Sequence, residues 1–198
     1  MSALEDTRRW LERAVIGLNL CPFAKAVHTS GRIRWVASRA RSVPTLAAQL
    51  LAEMQHLAAT DALQTDTTLI VHAQVLHDFR DFNDFLGLAD DLLQQAGLDG
   101  VLQVASFHPQ YRFAGTRSSD IANATNRSPH PTLHLLREAS VARAVAAFPD
   151  AAAIYGRNIA TLRALGHSGW QAVRDGRAPT TPAAAAAAGP RSRASSRR

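Results

Sequence analysis

Three short β-rich runs, separated by segments of helical period, constrain this chain more than any other feature. The runs are Arg32–Ser38 (RIRWVAS), Thr67–Leu76 (TTLIVHAQVL) and Val101–Phe107 (VLQVASF). Each is dense in residues that suit a pleated, half-buried surface. Between the first two, Ser42 followed by Pro44 opens a helix that lines up Leu46, Leu50, Met54 and Leu57. Between the second and third, Asp78 caps a helix carrying Phe82, Phe85, Leu86, Ala89, Leu92 and Leu93, and Gly97 ends it. Ahead of the first run, Ser2-x-x-Glu5 has the spacing of a capping box. Leu11, Ala14, Val15 and Leu18 then recur at helical spacing until Pro22 stops the helix. After the third run, Pro131 is expected to open a helix with Leu133, Leu136 and Val141, and Asp150 caps further helical segments reaching Trp170. Each strand–helix–strand step is long enough to cross over and return parallel. The expected architecture is α/β: a small, mainly parallel sheet of about three strands flanked by helices, with a long ordered loop after the last strand.

Composition narrows the function classes. The 198 residues are 46% hydrophobic and 19% charged, the balance of a folded chain. Residues 1–175 read as a single globular α/β domain with one core. The formal net charge of +6 and pI of about 10.8 invite a nucleic-acid reading. The distribution of charge argues against it. Residues 176–198 carry Arg177, Arg191, Arg193, Arg197 and Arg198 and no acid, so only 17 of the 22 basic residues face the 16 acids of residues 1–175, a net of +1. Pro179, Pro182, the run Ala183–Ala188 and Gly189-Pro190 leave 176–198 without amphipathic period, so it reads as a disordered tail. Specific nucleic-acid binding by the body is not expected; weak, salt-sensitive contact through the tail is the most this charge supports. No apolar run approaches the roughly 18 residues of a membrane span. Met1–Trp10 mixes Glu5 and Asp6 with its arginines and lacks the apolar stretch of a secretory signal. The lone Cys21 excludes an internal disulfide framework and a four-cysteine zinc site. A cytoplasmic location is the expectation.

Residues 106–130 (SFHPQYRFAGTRSSDIANATNRSPH) break the pattern. A stretch of this length without helix or strand period is usually functional or disordered, and Phe107, Tyr111, Phe113 and Ile121 are anchors that a disordered loop would not need. It leaves the third strand at the carboxyl end, where open α/β sheets bind ligands. Arg127, Ser128 and the free N–H groups of the helix expected from Pro131 could grip a carboxylate or phosphate, with Arg117 and Asn126 alongside. A small anionic ligand is therefore the expected partner. The plainer alternative is a well-tied Ω-loop with solvated arginines.

Histidines and the cysteine supply the candidate chemistry. His108 is the candidate general acid or base, with Cys21 or His130 nearby. Cys21 as a nucleophile would need a histidine base, which His108 could provide; a lone cysteine is more often a small buried hydrophobe. His130 and His134 have the i, i+4 spacing that presents two imidazoles to one metal on a helix. In that alternative His108 is a third metal ligand and Cys21 or Asp120 a fourth. The intervening Pro131-Thr132-Leu133 does not match the HExxH signature. Phosphate-binding glycine loops, the GxSxG elbow and CxxC are also missing, and no cofactor is indicated.

The stretches Leu20-Cys21-Pro22-Phe23-Ala24, Ser106-Phe107-His108-Pro109 through Phe113, and Thr125-Asn126-Arg127-Ser128-Pro129 with Leu133-His134-Leu135-Leu136-Arg137-Glu138 together form a distinctive set. They resemble an uncharacterised bacterial family catalogued as domain of unknown function 1415. The likeness spans about residues 5–172, Arg157-Asn158 and Leu165-Gly166 included, and leaves out the tail. It implies a single cytoplasmic bacterial domain and brings no reaction, cofactor or catalytic residue with it. From the residues alone, the expected function is a small enzyme acting on an anionic molecule bound by the 106–137 loop and helix start. A non-catalytic anion-sensing or protein-docking module, in which His108 is buried and hydrogen-bonded, is the alternative. A metal-dependent enzyme using His108, His130 and His134 is the third.

Overall fold

Helix starts follow the caps written in the sequence. In the computed structural model, which describes residues 2–148, 150 and 153–177, α1 (Ala3–Trp10) begins at a reciprocal Ser2–Glu5 capping box. It widens into a π-helical turn at Leu11–Ile16, where the Gly17 N–H reaches the Glu12 carbonyl at 3.0 Å. A turn through Cys21 leads to α2 (Ala24–Thr29), a short helix that carries no cap side chain and no apolar period. β1 (Ile33–Ala37) follows, then α3 (Val43–Ala59), whose Ser42 cap accepts from the Thr45 N–H. β2 (Thr67–Val71) is shorter than its β-rich run, because residues 72–78 turn sharply back. Asp78 caps α4 (Phe79–Gln95) through the Arg80 and Asp81 N–H groups. β3 (Leu102–Phe107) leads into the long loop, which contains a 3₁₀ turn at Ile121–Asn126 capped by Asp120. β4 (Thr132–Arg137), α5 (Glu138–Ala146) and α6 (Ala153–Asp175) complete the order. α6 bends at Gly166, whose φ of 66° and ψ of 178° suit glycine alone.

The helix expected from Pro131 is instead a strand. Thr132–Arg137 alternates, with Leu133 and Leu135 fully buried on one face and Thr132, His134 and Leu136 on the other. It pairs antiparallel with both β2 and β3, giving the order β1-β2-β4-β3. The sheet therefore has four strands and is mixed, rather than mainly parallel with about three. β1, β2 and β3 do run in one direction, since β1 is parallel to β2 and both β2 and β3 oppose β4. In six residues with four leucine or histidine neighbours, period 2 and period 3.6 are hard to separate. The hydrogen-bonding edges of β2 and β3 decide the matter.

Helices cover both faces of the sheet. Leu46, Leu50, Met54 and Leu57 of α3 and Phe82 of α4 lose all exposure against Ile70, Leu133 and Leu135. On the opposite face, Trp10, Leu11, Ala14 and Val15 meet Leu162, Leu165, Trp170 and Val173 of α6 over Ile33, Trp35 and Phe107. Arg137, at the end of β4, donates to the carbonyls of Leu57 (2.7 Å), Thr60 (2.5 Å) and Thr65 (3.0 Å), tying down the C-terminus of α3. No helix among the described residues is long and apolar enough to cross a membrane. The expected tail at 176–198 lies outside the described residues except for Gly176 and Arg177.

Candidate functional site

The loop between β3 and β4 is held by its own polar side chains. Asn123 is fully buried. Its Oδ1 accepts from the Phe113 N–H (3.0 Å) and the Thr116 hydroxyl (2.9 Å), and its Nδ2 donates to the Arg117 carbonyl (2.9 Å). Arg127 donates from Nε to the Tyr111 carbonyl (3.0 Å) and from Nη2 to the Ser118 carbonyl (2.7 Å). Asn126 Nδ2 donates to the Ser106 carbonyl at 3.3 Å, and the buried Ser128 hydroxyl donates to the His130 carbonyl at 2.5 Å. Asn126 and Ser128, read in the sequence as ligand contacts, thus hold backbone. Arg117 is exposed.

His108 lies fully buried at the carboxyl end of β3, beside Phe79 and Phe82. The Gln110 N–H donates to Nδ1 at 3.0 Å, so the ring proton sits on Nε2, which donates to the Leu76 carbonyl at 3.2 Å. Burial pushes its pKa below the ordinary histidine value, with the Leu76 bond opposing. Leu76 has a φ of 57°, a left-handed conformation costly for a leucine, and the imidazole braces that turn. Both ring nitrogens are therefore engaged with backbone. His72, also fully buried, stacks on Phe82. Its Nδ1 is 3.2 Å from the Val75 carbonyl, its Nε2 has no partner among the described residues, and burial lowers its pKa to about 4.

The remaining histidine candidates are dispersed. His134 lies within β4, with Nε2 2.6 Å from the Thr67 hydroxyl, and burial lowers its pKa to about 4. His130 places Nε2 3.3 Å from Asp6 Oδ2 on α1. His108, His130 and His134 thus have three different partners. Among the described residues, no group of three or more His, Cys, Asp or Glu side chains is arranged to hold a metal ion. Cys21 is a half-buried free thiol in the turn before α2 and packs on the same core cluster as Phe107 and Ile121. Because Thr132–Arg137 is a strand, the helix N-terminus expected beside Ser128 does not exist, and its dipole contributes nothing to anion binding.

The fold builds a cleft of about 600 Å³ between the loop, the first helix and the C-terminal half of α6, and of the expected contacts Arg127 and Ser128 line it. Arg9, Arg13, Arg127 and Arg174 line it, with Trp10 and Trp170 as apolar wall. Its two acids are already paired: Asp6 with Arg9 at 3.1 Å and Asp175 with Arg177 at 2.8 Å. Arg13, Arg127 and Arg174 have no carboxylate partner among the described residues. The buried Trp10 indole N–H likewise has no hydrogen-bond partner among them. A second cleft, of about 450 Å³, shares Pro109 and Arg127 with the first and is lined by Arg80 and Arg112. Burial lowers the pKa of Arg127, opposed by the charge of Asp120.

Arg9, Arg13 and Arg174 were not legible as site residues. Asp6, Arg9, Trp10 and Arg13 share one helical stripe, and His167, Trp170, Gln171 and Arg174 another, all of them lining the cleft. Either stripe alone reads as a half-solvated helix face. No curated protein and no solved structure matches the chain. The family model described as Protein of unknown function (DUF1415) matches residues 2–172, and the chain belongs to that family.

Proposed function

We propose that this chain is a cytoplasmic protein that binds a small anionic molecule, a carboxylate or phosphate, in the cleft between α1, α6 and the β3–β4 loop. The observation that carries this reading is the set of three guanidinium groups, Arg13, Arg127 and Arg174, on one concave surface without a carboxylate partner among the described residues. Like charges converging in a cleft repel one another, and a bound anion relieves that repulsion while accepting their N–H groups. Trp10 and Trp170 supply the apolar wall typical of small-molecule sites. Binding is favoured over catalysis by His108, because its two ring nitrogens are occupied by backbone.

A second reading, an enzyme acting on the bound anion, is favoured by one contact. His130 lies 3.3 Å from Asp6, which lines the cleft, and a carboxylate-paired imidazole is the arrangement of a general base.

A thermal-shift screen of phosphates and carboxylates tests the proposal. At a hundredfold excess over Kd, a ligand adds about 2.7 kcal/mol, and a chain of this size then gains roughly 5–10 °C in Tm. Arg174→Ala should weaken the response at least tenfold, and the ligand should be recovered unaltered. A screen without any shift, or a full response in Arg174→Ala, refutes the proposal. A ligand recovered as product, with turnover lost in His130→Gln, replaces it with the enzyme reading.

A further inference from the structure

The two clefts meet at one side chain. Arg127 carries five N–H donors; Nε–H and one Nη2–H are used on the carbonyls of Tyr111 and Ser118, leaving three without an acceptor among the described residues. The same residue lines both clefts. In the second cleft, Arg80 and Arg112 have no carboxylate partner among the described residues. The one acid there, Asp78, has an oxygen committed to the Arg80 and Asp81 N–H groups at the start of α4. Each cleft therefore presents cations free to meet an anion, and Arg127 has donors left for both.

We propose that the ligand is two-headed: a molecule with two phosphate-like groups, one held by Arg13, Arg174 and Arg127 and the other by Arg112, Arg80 and Arg127. This rests on the reading of the first cleft as an anion site and adds the second. Charge-assisted N–H···O bonds are about 2.8 Å long, so groups bonded to different free Nη donors of one guanidinium hold their oxygens roughly 5–7 Å apart. A single phosphate cannot span that separation. A triphosphate, or two phosphates joined by a short organic linker, can. The plane of Arg127, fixed by two backbone carbonyls, would then set the spacing between the two heads.

Linear alkane bisphosphonates with increasing numbers of methylenes keep the charge nearly constant while the spacing changes. Titration calorimetry of this series against the full chain, at fixed pH and ionic strength with inorganic phosphate as the one-headed reference, separates spacing from charge. Affinity should pass through an optimum at a short linker, at least tenfold tighter than the most compact member. Arg112→Ala should abolish that optimum, whereas Arg163→Ala, which removes the same charge from an exposed position on α6 outside both clefts, should keep it. Affinity independent of linker length, or an optimum that survives in Arg112→Ala, overturns the two-headed ligand and leaves the one-cleft reading intact. Failure of phosphate and of every bisphosphonate to bind overturns the two-headed ligand and restricts the one-cleft reading to carboxylates, which the thermal-shift screen tests separately.

Discussion

Acid should destabilise this protein through a residue that has no part in the cleft. His72 is fully exposed to solvent in an unfolded chain and fully buried in the folded one, stacked on Phe82. Burial lowers its pKa from 6.5 to about 4, with the neighbouring His108 and His77 adding to the effect and the Val75 carbonyl opposing it. The unfolded state therefore takes up this proton first. The stability held above pH 6.5 is lost as the pH falls from there towards 4. At pH 5 nearly every unfolded chain and about a tenth of folded chains carry the proton, a difference of about 2 kcal/mol; the limit below pH 4 is about 3 kcal/mol. His134, buried to a similar pKa, acts in the same direction. Urea unfolding at pH 7.5 and pH 5.0 should show a loss for the native chain that shrinks by about 2 kcal/mol in His72→Leu. Comparing the loss within each variant cancels the packing cost of the substitution. An equal loss in both proteins would show that His72 accepts a proton in the folded state, and the burial argument would fail.

Three other changes test separate joints of the structure. Arg137→Met leaves the carbonyls of Leu57, Thr60 and Thr65 without their charged donor and should cost about 2–3 kcal/mol by urea unfolding; a change near zero would mean that solvent serves those carbonyls equally well. Asn123→Ala removes three hydrogen bonds inside the loop, so trypsin should cut at Arg112 or Arg117 at least tenfold faster, and an unchanged cleavage pattern would show that the aromatic anchors hold the loop alone. Gly176 has a φ of 74° and packs against the Arg13 guanidinium, so Gly176→Ala should cost about 1 kcal/mol and push Arg13 from the cleft, weakening phosphate severalfold. Unaltered phosphate affinity would remove Arg13 from the site.

Local chemistry was legible in the chain. Ser2, Ser42 and Asp78 each satisfy N–H groups within three residues, so α1, α3 and α4 begin where their caps stand whatever surrounds them. The β-rich runs at β1, β2 and β3 have enough branched and aromatic residues to mark strands, and the residues that tie the loop lie within it. Tertiary structure decided the rest. Thr132–Arg137 is a strand because β2 and β3 offer it hydrogen-bonding edges on both sides, a partnership that no six-residue window contains. Tertiary packing also buries His108 between the Gln110 N–H and the Leu76 carbonyl, where the imidazole braces a strained turn. The arginine-lined cleft depends on docking. Arg9 and Arg13 near one end of the chain, Arg127 in the loop and Arg174 near the other end share a surface only after α1 and α6 pack on the same face of the sheet. Capping and strand propensity act over a few residues and can be read from them, whereas the convergence of charges from distant segments is a property of the packed chain.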